Sequence, residues 1–172
     1  MKVTSSALIL AAVGLLVGPA PGQRLRSRAD GISNAWNSIT PLRSSANDVA
    51  RLFAMDTSQN PDSSGPFKVD GGDVTFSFLT DSLARIYHAP QTMVGKVFTI
   101  YFKPNVPMAQ SEVKLVGFKK CVDQSDRRYY YFVSEAGLGY QVSRKTDQIE
   151  MVIHQPSAAE IKRLRVSTAC VF

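Results

Sequence analysis

The run from Arg128 to His154, RYYYFVSEAGLGYQVSRKTDQIEMVIH, decides how the chain reads. Arg128–Ser134 carries Tyr129, Tyr130, Tyr131, Phe132 and Val133, all strong strand formers. Glu135-Ala136-Gly137 is a turn, and Leu138–Ser143 is a second strand. Lys145-Thr146-Asp147 turns again into Gln148–His154, where Ile149, Met151 and Ile153 alternate with Gln148, Glu150 and Val152. Three short strands joined by tight turns predict an antiparallel meander. Gly137-x-Gly139 is read as part of a hairpin rather than as a phosphate loop.

Outward from this run the pattern changes. Pro156-Ser157 ends the last strand, and Ser157-x-x-Glu160 has capping-box spacing for a helix reaching about Leu164. Upstream, Val74, Phe76 and Phe78 alternate with Thr75 and Ser77, which predicts a half-buried strand. Val97–Phe102 is apolar on both faces and predicts a central strand. Asp81–Gly95 is read as a loop with a short helix at Ser82–Ile86, and Ser111–Phe118 fits a helix or a strand. Ser45 and Asp48 have capping-box spacing for a helix from about Ala46 to Met55, with Val49, Leu52 and Phe53 on one face. Between them, 56–72 is rich in Asp, Gly, Ser and Pro and is expected to be a mobile loop. The expected fold class is α+β: short helices packed on an antiparallel sheet of four or five strands, in one domain over 36–172.

The chain has 172 residues, net charge +6, 44% apolar content, two His and two Cys. This excludes a disordered chain, a collagen repeat and a Cys-dense scaffold. Ala7–Gly18 is an uncharged stretch behind Lys2, short of the roughly 20 residues a spanning helix needs. It fits a secretory signal over 1–22, cut before Gln23, which leaves 150 residues at +5 and a flexible basic arm over 23–35. Arg24, Arg26 and Arg28 oppose translocation, so an uncleaved anchor is the rival reading. Export would permit a Cys121–Cys170 disulfide; two free thiols are the alternative.

Residues Trp36 to Leu52 (WNSITPLRSSANDVARL) resemble W-x-x-I-x-P-L-x-S-[ST]-x-x-D-V-x-R-L, a motif of uncharacterised exported bacterial proteins. Tyr130–Val142 is similar to their second motif, an aromatic strand, a Glu-Gly turn and another strand. The resemblance spans most of 36–170. More distantly, the helix entry is similar to BamE/SmpA-like lipoproteins and β-lactamase-inhibitor-like domains, which are helix-plus-sheet binding modules. Two departures stand out: Phe53-Ala54 replaces the usual Leu-Gly, and the usual Cys near Asp81 is missing. No lipobox Cys is present, so lipid anchoring does not carry over. The resemblance implies a fold and an envelope location, and no chemistry.

Catalytic signatures such as H-E-x-x-H, G-x-S-x-G, G-x-x-x-x-G-K-[ST] and C-x-x-C are missing from the sequence. His88 and His154 lie 66 residues apart and suggest no metal site. Glu112, Asp123, Glu135 and Glu150 are the carboxylates that a hydrolase would have to assemble. Lys162, Arg163 and Arg165 read as the solvated face of the last helix. Arg127 with Tyr129 and Tyr131, alternate residues of one strand, forms the one basic-aromatic stripe. Together with Arg24, Arg26 and Arg28 it is the candidate electrostatic binding surface. The sequence therefore points to an exported non-enzymatic protein-binding or assembly module without a cofactor. Its expected partner is another envelope protein, or else an anionic membrane or cell-wall surface; nucleic acid is not expected. An anchored accessory subunit and an envelope hydrolase are the alternatives.

Overall fold

A computed structural model describes residues 33–54, 63–122 and 126–164. Eight antiparallel strands form one sheet: β1 Ser63–Val69, β2 Gly72–Phe78, β3 Val97–Pro104, β4 Met108–Ala109, β5 Phe118–Cys121, β6 Tyr129–Ser134, β7 Leu138–Ser143 and β8 Gln148–His154. Their order is β1-β2-β3-β8-β7-β6-β5, with β4 also paired to β8. The described helices are short: α1 Ala46–Leu52, α2 Asp81–Ile86 and α3 Ala158–Arg163, with 3₁₀ turns at Gln91–Met93 and Gln110–Glu112. This corrects the expected class. The domain is mostly sheet, with eight strands rather than four or five, and its helices are accessories.

The extra strands come from segments that read as loop or ambiguous. β1 lies inside the expected loop 56–72, and β5 follows the undecided stretch Ser111–Phe118. Each is an edge strand with one neighbour, so its own pattern carries little burial signal.

Side-chain alternation makes the core. Phe67, Val74, Phe102, Val152, Tyr140 and Phe132 are successive register partners across six strands and form one apolar row. Trp36, Val49 and Phe53 cover this front face, and the Phe53 ring stacks on Phe67 at 4.2 Å. The fully buried Phe76 meets Trp36 edge-on at 5.8 Å. Such burial stabilises by roughly 1.5–3 kcal/mol per large side chain. Ser45 caps α1 and Ser157 caps α3, each in a complete capping box with Asp48 and Glu160.

The two ends of the sheet differ. At the helix end, Leu79 and Phe98 pack with Ala84 of α2 and with Ile161 and Leu164 around α3. There Asn34 Nδ2 donates to the Gln155 carbonyl at 2.8 Å, so the described chain enters at this end. At the opposite, hairpin end lie the β1–β2 and β7–β8 turns, the exit of β3 and the entry to β6. None of α1–α3 packs there.

Candidate binding surface

Both edges of the sheet resist strand addition. β1 contains Pro66, which lacks an N–H, and its register shifts between Ser64 and Phe67. β5 is four residues long and carries exposed Lys119 and Lys120. α1 and Trp36 lie on the front face, and the hairpin end carries a group of exposed cations.

Four cations lie there. Tyr129 pairs with Ser143, and the Arg144 N–H donates to the Arg128 carbonyl at 2.9 Å, extending the β6–β7 ladder by one pair. Arg128 and Arg144 are therefore opposite each other, with Arg127 and Lys145 immediately beyond. Like charges facing across a ladder destabilise it. Arg128 is partly compensated: its Nε and Nη2 donate to Asp126 at 3.0 and 2.8 Å, and its guanidinium lies 5.4 Å from the Tyr129 ring centre. These bonds hold the Asp126 carboxyl down at about 2. Arg144 Nε donates to the Tyr129 carbonyl at 3.2 Å. Among the described residues, no carboxylate lies within 4.0 Å of a cationic nitrogen of Arg127, Arg144 or Lys145.

The platform beneath them is held by polar contacts. The Tyr130 hydroxyl donates to Asp147, and Gln110 Nε2 donates to the Tyr130 oxygen at 2.8 Å and the Asp147 carbonyl at 3.1 Å. Burial and the neighbouring Asp147 raise the Tyr130 pKa. Lys120 Nζ sits 3.9 Å from the centre of that ring. Two exposed aliphatic side chains flank the same end: Val106 after β3, 74% exposed, and Val122 after β5, 51% exposed.

The residues singled out from sequence fall out unevenly. Arg127 is exposed at this end and Tyr129 is half-buried. Tyr131 shares the back face with Tyr129 and Val133, but it is buried, and its hydroxyl accepts from Gln141 Nε2 at 3.1 Å. Arg24, Arg26, Arg28, Asp123 and Cys170 lie outside the described residues. Cys121 is buried beside Tyr131 and Ile153 and is not a free thiol. Sequence reading missed Arg144 and Lys145 as partners of Arg127 and Arg128. Folding the 128–144 hairpin about Ala136 would have placed Arg128 opposite Arg144.

The carboxylates are not brought together. Glu135 pairs with Lys119 at 3.2 Å at the helix end, Glu112 accepts from the Ala109 N–H at 3.2 Å, and Glu150 sits at the β8 register shift. Among the described residues, no three His, Cys, Asp or Glu are grouped to hold a metal ion. His154 is buried at the end of β8, and desolvation lowers its pKa to about 4 against a weaker opposing hydrogen bond with the Asn34 backbone. A shallow depression of about 600 Å³ beside α1 is lined by Arg43, Asp48 and Arg51, but Arg51 pairs with Asp48 and Arg43 lies 3.9 Å from Glu160. Its charges are internally matched, in contrast to the hairpin end.

No family model, curated protein or solved structure matches the chain. The described residues form one sheet with a helix-covered end and an opposite end where, among the described residues, Arg127, Arg144 and Lys145 have no carboxylate within 4.0 Å.

Proposed function

We propose that the chain is an exported, non-enzymatic protein-binding or assembly module of the bacterial cell envelope that engages its partner with the hairpin end. One observation carries this reading. Arg127, Arg144, Lys145, Val106 and Val122 are exposed at one end of the sheet, whereas its edges and front face are blocked or filled. Mixed aliphatic and guanidinium groups on a fixed platform suit a protein interface. The rival reading, an accessory subunit held by an uncleaved N-terminal segment, draws on Arg24, Arg26 and Arg28 after the apolar run.

A photo-cross-linking residue placed at Val106 or Val122 tests the reading in intact cells. A defined protein adduct from these positions is expected, and none from Ile86, which is 65% exposed at the helix end. Absence of any hairpin-end adduct would refute it.

A further inference from the structure

The hairpin end breaks a local rule of sheet stability. Arg128 and Arg144 face each other across the ladder, and Arg127 and Lys145 add charge of the same sign next to them. A chain selected only for stability has no reason to keep this arrangement, because opposite-sign or neutral pairs at these positions stabilise a sheet. Asp126 relieves one of the four cations, and Asp147 is engaged by Tyr130. Glu150 acts on Arg128 without forming an ion pair within 4.0 Å. The guanidinium of Arg144 bonds the Tyr129 carbonyl and that of Arg128 bonds Asp126.

We infer that the hairpin end takes a carboxylate-rich polypeptide segment of the partner, received by Arg127, Arg144 and Lys145, with Val106 and Val122 contacting its apolar side chains. This rests on the protein-binding reading above and adds the chemistry of the partner. A polypeptide fits better than a bare anionic surface because the exposed aliphatic side chains of Val106 and Val122 flank the cations, so carboxylates and apolar side chains can be met together.

The test uses the purified full chain and three probes: a Glu- and Asp-rich peptide with interspersed Leu, vesicles of phosphatidylglycerol in phosphatidylcholine, and inorganic phosphate. The peptide is expected to bind in a salt-sensitive manner and to shift the backbone amide resonances of 126–130 and 143–147. The R127Q/R144Q/K145Q chain is expected to bind it at least about 10-fold more weakly while melting at the same or a higher temperature, because like-charge repulsion is removed. Binding that is unchanged in that variant, no peptide binding, or binding to vesicles without binding to the peptide would each overturn the inference. The intact-cell adduct separates the two claims. If the neutralised chain still forms it, the partner exists but is not held by charge; if neither chain forms it, the protein-binding reading falls as well.

Discussion

His154 shows what one residue contributes and how to measure it. His154 is 7% exposed, opposite Ile100 and Leu138, and its Nδ1 has no hydrogen-bond partner among the described residues. Burial therefore favours the neutral imidazole and depresses the folded-state pKa to about 4, against about 6.5 in the unfolded chain. The unfolded chain binds the extra proton first, so stability falls as pH drops from about 6.5 through 4. At pH 4 the loss is on the order of 3 kcal/mol. Urea unfolding across this window should show the loss, and the H154Q chain should lack it while keeping the remaining slope. Asp48 and Asp126, both held below their ordinary range, give the same sign through the acid range below about pH 5. A parallel pH profile for H154Q would mean that His154 is not the group responsible. Both the apolar strand and the terminal His were legible in the sequence; the depth of burial was not, because it depends on β3 and β7 lying on either side of β8.

At the scale of elements, the β6–β7 turn is tightly constrained. Gly137 has φ +92°, and a Cβ there would lie 2.2 Å from the Gln155 carbonyl oxygen, with the Pro156 backbone close behind. Strain and collision act together, so G137A is expected to cost about 2–4 kcal/mol. G117A is the control: Gly117 has φ +83° but open space around its Cβ, so only the left-handed backbone penalty of about 1–2 kcal/mol applies. Equal melting temperatures for the two variants would contradict the collision. The same comparison explains which elements could be read from sequence. Capping boxes at Ser45 and Ser157 are local, and the β6–β7–β8 run alternates between tight turns, so these elements are legible. β1 was not, because Ser, Gly and Pro occupy its first half and only Phe67 and Val69 reach the core. β4, two residues long, exists only through its pairing with Ile149 and Gln148. The binding surface divides the same way: Arg127 and Tyr129 stood out as a local cluster, whereas Arg144 and Lys145 joined it only through hairpin register.

For the whole molecule, the question is how the two ends are held relative to the cell. Cys121 closes β5 on the back face, in contact with the cluster of Tyr131 and Ile153, and it is not free. The chain has one other cysteine, Cys170, outside the described residues, and we propose that the two form a bridge. Closing a loop of about 50 residues would stabilise the fold by roughly 4 kcal/mol in the chain-entropy treatment, a large share of a domain's net stability. Such a bridge belongs to an oxidising compartment, so its state and the start of the chain report on the same claim. Intact mass of the protein from its native cell fraction is expected to begin at Gln23, with no alkylation until reductant is added. Reduction should then lower the unfolding free energy by about the loop-closure amount. A full-length mass with two alkylated thiols would overturn both the cleavage and the bridge. It would also favour the anchored-subunit reading and move the search for a partner to membrane complexes.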